Sequence, residues 1–179
     1  MTSKTLETVD LPKKYAFCVC RIEPENNISL ILEAFDTAKR LPLVLVGNWH
    51  ASLYGRELYA NFANSEFLYL VDPIYDVEVL STLRSRASFY VHGHSAGGTN
   101  PSLVEAMHFG IAIAAYDCGF NRYTTCDEAF YFSDKEELVD LIENGISAEF
   151  NAIGKRMKEI ARDKYVWTHI AAQYFDLIT

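Results

Sequence analysis

A Rossmann-like, doubly wound α/β sandwich around a parallel sheet, closed by C-terminal helices, is the fold class that this sequence predicts. Three observations carry it. From Tyr15 onward, short runs that are apolar on both faces alternate at least four times with amphipathic stretches, as strands covered by helices on both sides require. Beyond Phe132 the pattern turns purely helical. The turn-forming clusters RIEPENN, GNWH, DPIYD, HGHSAGGTNP and DCGFNRYTTCD each follow a strand-like run, where a parallel sheet leaves its ligand crevice.

In chain order, YAFCVC predicts a first strand and NISLILEAFDTAK its helix. PLVLVG is paired in the same way with SLYGRELYANFA, EFLYLV with DVEVLSTLRSRA, and SFYV with PSLVEAMHFG. IAIAAY is followed by a loop and then by AFYF. Three helices complete the chain: DKEELVDLIENG, SAEFNAIGKRMKEIARD and VWTHIAAQYFDLI. The last places Trp167, Ile170, Ala171, Tyr174 and Phe175 at helical spacing, the pattern of a stripe packed on a neighbour. Residues 1–14 have no periodicity and end in LPKK, so they are expected to be a tail or linker remnant, with the domain spanning 15–179.

Composition narrows the function. With 179 residues, half of them hydrophobic and 13% aromatic, the chain can bury a substantial core. A net charge of −8 and no stripe of Lys or Arg argue against a nucleic-acid or anionic-membrane surface. The polar start MTSKTLETVD and the lack of a long apolar run predict a cytoplasmic chain with no transmembrane segment. Cys18, Cys20, Cys118 and Cys126 have no zinc-knuckle spacing and read as reduced, structural thiols.

No G-x-G-x-x-G follows the first strand and no P-loop occurs, so a dinucleotide cofactor or a P-loop NTPase site is not indicated. HSAGGTNP instead places Gly97 and Gly98 before a helix whose free N–H groups and positive dipole end favour a diphosphate. Pro101 suits the first helical turn, and a plain glycine turn capped by Asn100 or Thr99 is the competing reading. Glu105, among Leu103, Val104, Ala106 and Met107, looks buried and in need of a partner: a ribose hydroxyl, an Arg or solvent. Arg21, at the mouth of the first strand, suits a phosphate, while Asn26 and Asn27 suit hydrogen bonding or helix capping. His94 is read as a polar contact to sugar or phosphate, His92 as structural packing, and His50, His108 and His169 as carrying no function.

RIEPENNISLILEAF resembles the R-x-x-P-E-K-(N/G) stretch and following helix in the nucleotide-sugar-binding half of the family 4 GT-B glycosyltransferases. GGTNPSLVEAMHFGIAIAAYDCG resembles their E-G-F-G-x-x-x-x-E-A-M-A-x-G-x-P-V segment, and VWTHIAAQYFDLI their C-terminal helix. Two departures stand out: the first Glu of the family's E-x7-E pair is Gly97 here, and its lysine is Asn26. Both resemble a bacterial subgroup that includes rhamnosyltransferases of surface polysaccharide synthesis, which implies dTDP-rhamnose as a candidate donor.

The resemblance implies that Arg21 contacts the donor diphosphate, that Gly98, Thr99 and Asn100 form the phosphate-facing turn, and that Glu105 holds the ribose. Pro101 lacks the N–H of the family's residue, and His94 and Asn100 are nearest to the place of the missing carboxylate at Gly97. Asn26 would put less charge on the leaving group than a lysine. The substrate implied is a nucleoside-diphosphate sugar, with no metal or other cofactor. A glycan or lipid-linked acceptor would sit on an N-terminal domain absent from this chain. The full enzyme is then expected at the inner membrane face, and this domain alone is expected to bind donor without transferring it. The departures at Gly97 and Asn26 also admit a nucleotide-sugar-binding or interaction module without chemistry, and a GT-B-fold sugar-nucleotide epimerase is a further alternative.

Overall fold

A computed structural model describes residues 11–145 and 147–178. Six strands, β1 (Ala16–Val19), β2 (Leu43–Val46), β3 (Leu68–Val71), β4 (Phe89–His92), β5 (Ala112–Tyr116) and β6 (Phe130–Phe132), form one parallel sheet. Their order is β3-β2-β1-β4-β5-β6, the doubly wound arrangement predicted from the sequence. Between them run α1 (Ile28–Ala38), α2 (Leu53–Phe62), α3 (Val77–Arg86), α4 (Pro101–Phe109) and α5 (Gly119–Thr125). Helices α6 (Lys135–Asn144), α7 (Ser147–Lys164) and α8 (Trp167–Ile178) follow.

Alternation along each strand divides the core into two layers. Ala16, Cys18, Leu43, Leu45, Phe89 and Val91 pack with α1 and α6 on one face. Phe17, Val44, Val46, Tyr90 and Ile113 pack with α3, α4 and α7 on the other. Helix starts are fixed by side-chain caps. Ser52 accepts from Gly55 N, Asp76 from Glu78 N and Val79 N, and Asp134 from Glu137 N.

Three expectations are corrected. DCGFNRYTTCD is not all loop, because Gly119–Thr125 forms α5. The Asn121 amide donates to His94 O and the Tyr165 hydroxyl to Thr124 O, so tertiary contacts stabilise a turn of poor helix formers. The stripe on α8 is not sealed against a neighbour: Trp167 is 83% exposed, because at the first turn of the helix it faces solvent. The side chain of Tyr174 and the tail residues 1–10 lie outside the described residues. Leu11, within the expected tail, packs on the α3–α4–α7 layer.

Candidate ligand-binding crevice

The crevice opens where the strand order reverses, between β1 and β4. These strands pair only at Ala16–Phe89 and Phe17–Tyr90, so their C-terminal ends separate. The Val19 carbonyl accepts from the Tyr90 hydroxyl at 3.3 Å, and that hydroxyl also reaches Ser102 Oγ at 3.3 Å. Burial pushes the Tyr90 phenol far above its usual range, so it stays a neutral donor.

Two segments, 21–27, which includes a one-turn 3-10 helix at Pro24–Asn26, and 93–95, are joined across the gap. Asn27 Nδ2 donates to Gly93 O at 2.8 Å, and Ser95 N and Oγ both donate to Glu25 O at 2.9 Å. Asn26 is buried: its Nδ2 donates to Arg21 O at 2.8 Å and its Oδ1 meets His94 Nδ1 at 2.8 Å. Neither asparagine side chain caps a helix, which corrects that reading. Asn27 takes the N-cap position of α1 in the left-handed conformation (φ 50°), and its amide is spent on the opposite loop.

Arg21 lies at the lip with its side chain 74% exposed and its Nη1 3.2 Å from a Glu23 carboxylate oxygen. A guanidinium so exposed keeps donors available for an incoming anion. Beside it, a cavity of about 470 Å³ runs along the ends of β1, β2 and β3, lined among others by Cys20, Ile22, Gly47, Asn48, Ile74 and Tyr75. The Sγ atoms of Cys18 and Cys20 lie 3.9 Å apart and all four cysteines are free.

Across the switch point, Gly97 (φ 98°) and Gly98 lead into α4, with Pro101 at its first turn. Asn100 does cap this helix: its Oδ1 accepts from Ser102 N at 3.0 Å and from Ser102 Oγ at 2.9 Å. Thr99 is tied to α5 through Thr124 Oγ1 at 3.3 Å. Asn121 of α5 donates to His94 O at 2.9 Å, a role no local pattern predicted.

Glu105 is not buried. Its side chain is 56% exposed, because α4 turns Leu103, Ala106 and Met107 inward and leaves position 105 outside. Its partner is Arg84 of α3, 2.6 Å away and only 9% exposed. Removing one member of a buried pair costs about 3–5 kcal/mol, and exposure of the carboxylate lowers this toward about 1–2 kcal/mol. Glu105→Ala should therefore lose about that much in urea unfolding, and Glu105→Gln, which keeps an acceptor for Arg84, distinctly less. Equal stability of Glu105→Ala and wild type would show that Arg84 is satisfied without it.

The structure thus brings Arg21, Asn26 and His94 into one bonded group, with Gly97, Gly98, Thr99 and Asn100 forming the turn just beyond His94. Glu105 stands one turn further along, committed to α3. The cavity residues on GNWH and DPIYD went unassigned, although their position after strands marked them. His50 lies against the Tyr59 ring, His108 Nε2 meets Tyr165 O, and His169 Nδ1 meets Asp163 O.

A six-stranded parallel sheet with helices on both faces and a crevice at its switch point is one Rossmann-like half of a GT-B transferase fold. The chain belongs to the family of glycosyl transferases group 1, whose model matches residues 5–164. No curated protein matches it. Among solved structures, sucrose-phosphate synthase from Thermosynechococcus elongatus is similar at 22% identity and a TM-score of 0.80, covering 94% of this chain and 46% of that one. Anabaena HepE in complex with UDP-glucose is similar at 17% identity and 0.79, covering 92% and 48%. The C-terminal domain of a glycosyl transferase group 1 family protein (LpcC) from Francisella tularensis is similar at 14% and 0.71, covering 86% and 87%. The chain therefore spans less than half the length of the first two. Among the described residues no helix is long and apolar enough to cross a membrane.

Proposed function

We propose that this domain binds the nucleoside-diphosphate sugar of a retaining, metal-independent, hexosyl-type glycosyltransferase of family 4. The sugar, with rhamnose as the candidate, passes to a glycan or lipid-linked acceptor held by a second domain. The observation that carries the reading is the pairing of an exposed Arg21 on one lip of the switch-point crevice with a glycine turn and helix N-terminus on the other. Arg21 offers charged donors and α4 its positive dipole end, which both favour a diphosphate; the first amides of α4 add none, because Pro101 has no N–H and Ser102 N and Leu103 N are already bonded to Asn100. Arg21 and the start of α4 stabilise the departing diphosphate, and one of its oxygens takes the acceptor proton. Alone, the domain binds donor and transfers nothing.

The network around Asn26 favours a second reading, a binding module without chemistry. Where the resembled family has a lysine, this amide is buried and bonded at both ends to its own chain. Turnover once an N-terminal acceptor domain is supplied would exclude that reading.

Calorimetric titration with dTDP, UDP, GDP and ADP tests the site. HepE is in complex with UDP-glucose, which makes UDP a natural first probe. One nucleotide should bind preferentially, and Arg21→Ala should weaken it about 10- to 100-fold, the worth of a hydrogen bond to a charged group. Failure of all four to bind wild type would overturn the proposal.

A further inference from the structure

We infer that His94 presents Nε2 as a hydrogen-bond acceptor for a hydroxyl of the donor sugar, and that Asn26 is the positioning residue that fixes this tautomer. The inference rests on the crevice being a nucleotide-sugar site. Its starting point is the Asn26 amide, which is 4% exposed and bonded at both ends. Nδ2 donates to Arg21 O at 2.8 Å, which turns Oδ1 to His94 Nδ1, also at 2.8 Å. The flipped amide would set Oδ1 against the Arg21 carbonyl, two acceptors with no proton between them. An amide oxygen only accepts, so His94 Nδ1 carries the proton, and whenever the ring holds a single proton Nε2 carries the lone pair.

The residue is held at two points, its backbone and its ring. Asn121 Nδ2 fixes the His94 carbonyl at 2.9 Å while Asn26 fixes Nδ1. Nε2 faces the Gly97 turn, where a β carbon built on Gly97 would lie 3.6 Å away. With φ at 98°, position 97 favours glycine, and the space before Nε2 stays open. The neighbouring His92 ring, 6.2 Å off, is kept neutral by burial and adds no charge.

A lone pair is the wrong partner for a diphosphate, whose ionised oxygens only accept. Its complement is an O–H, which a nucleoside-diphosphate sugar carries on the ribose and on the transferred sugar; His94 is assigned to the transferred sugar, whose hydroxyls the spent nucleoside diphosphate lacks. His94 therefore distinguishes the loaded donor from the spent nucleoside diphosphate, while Arg21 and the start of α4 serve both.

Two measurements on the full 179-residue chain test this. Long-range 1H–15N correlation of the labelled wild type above neutral pH should show His94 protonated on Nδ1, and the Nε2–H tautomer would overturn the inference. Asn26→Asp, which keeps an acceptor, should hold that tautomer, whereas Asn26→Leu should release the ring to a mixture; an unchanged tautomer in folded Asn26→Leu would remove Asn26's role. In titrations of UDP-glucose, dTDP-rhamnose, GDP-mannose and ADP-glucose beside their nucleoside diphosphates, His94→Ala should weaken the sugar conjugate about tenfold more than the nucleoside diphosphate, the worth of one hydrogen bond. Equal weakening would place His94 on the nucleoside or the phosphates, and no weakening would remove it from the site; either overturns this inference alone. A wild type that binds no nucleoside diphosphate would instead overturn the donor-site reading beneath it.

Discussion

Gly93→Ala should cost at least about 3 kcal/mol in chemical denaturation, near the upper end for a single overpacking change. A β carbon at this position would fall well inside contact distance of the Asn26 carbonyl oxygen and 2.7 Å from Ile31 Cδ1. Neither obstacle yields easily. Asn26 O belongs to a backbone held by the bonds of Asn26 to Arg21 and His94, and Ile31 is fully buried. Moving Gly93 instead would break the Asn27 bond to its carbonyl and the adjoining Ser95 bonds to Glu25. The other two glycines of HGHSAGG supply controls. Gly97→Ala meets no comparable obstacle and should cost about 1 kcal/mol through its positive φ. Gly98→Ala has no atom within 4 Å of the new carbon and should stay within about 0.5 kcal/mol of wild type. Urea unfolding of the three variants should rank them in that order, and a mild Gly93→Ala would mean that the two loops are not in close contact.

The second large effect is on acid stability. His92 is buried with Nε2 unpartnered, and burial, aided by the nearby His94, pushes its pKa down to about 3 from the ordinary 6.5. Between those values the unfolded chain binds a proton that the folded chain does not, so stability falls as pH drops from about 6.5 to about 3 and is unaffected above 6.5. At about 1.4 kcal/mol per pH unit the loss from this one residue reaches about 4–5 kcal/mol at the acid end. His92→Leu removes the titrating group. Its unfolding free energy, measured from pH 7 to pH 4, should fall less steeply than that of wild type by about one proton. Parallel slopes would show that His92 takes up a proton within the fold.

The six strands were legible as apolar runs, interrupted only by His92 at the end of β4, and plainest in β1, β2, β4 and β5, which lie inside the sheet and are buried on both faces. Helix α5 was not, because GFNRYTT has neither an apolar period nor helix-favouring residues and is stabilised by its contacts with the β4 and β5 ends. At the site, Arg21 and the turn into α4 were marked by their place after strands, which is a property of order along the chain. The partners of Asn26 and Glu105 were not. His94 lies 68 residues from Asn26, and Arg84 approaches Glu105 from another helix, so both pairings belong to the folded chain alone. Apolar neighbours in sequence made Glu105 look buried; one face of α4 is buried and Glu105 is on the other.

The strand order β3-β2-β1-β4-β5-β6 also bears on how the chain emerges during synthesis. β1, β2 and β3 can pair as soon as residues up to Val71 are available, but the other edge of β1 waits for β4 at Phe89–His92. Until then a nascent chain carries an apolar strand with one row of unpaired peptide groups, the feature that templates association with other chains. Because the Asn26–His94 and Asn27–Gly93 bonds span that same interval, shielding of the edge and assembly of the crevice happen in one late, non-local step.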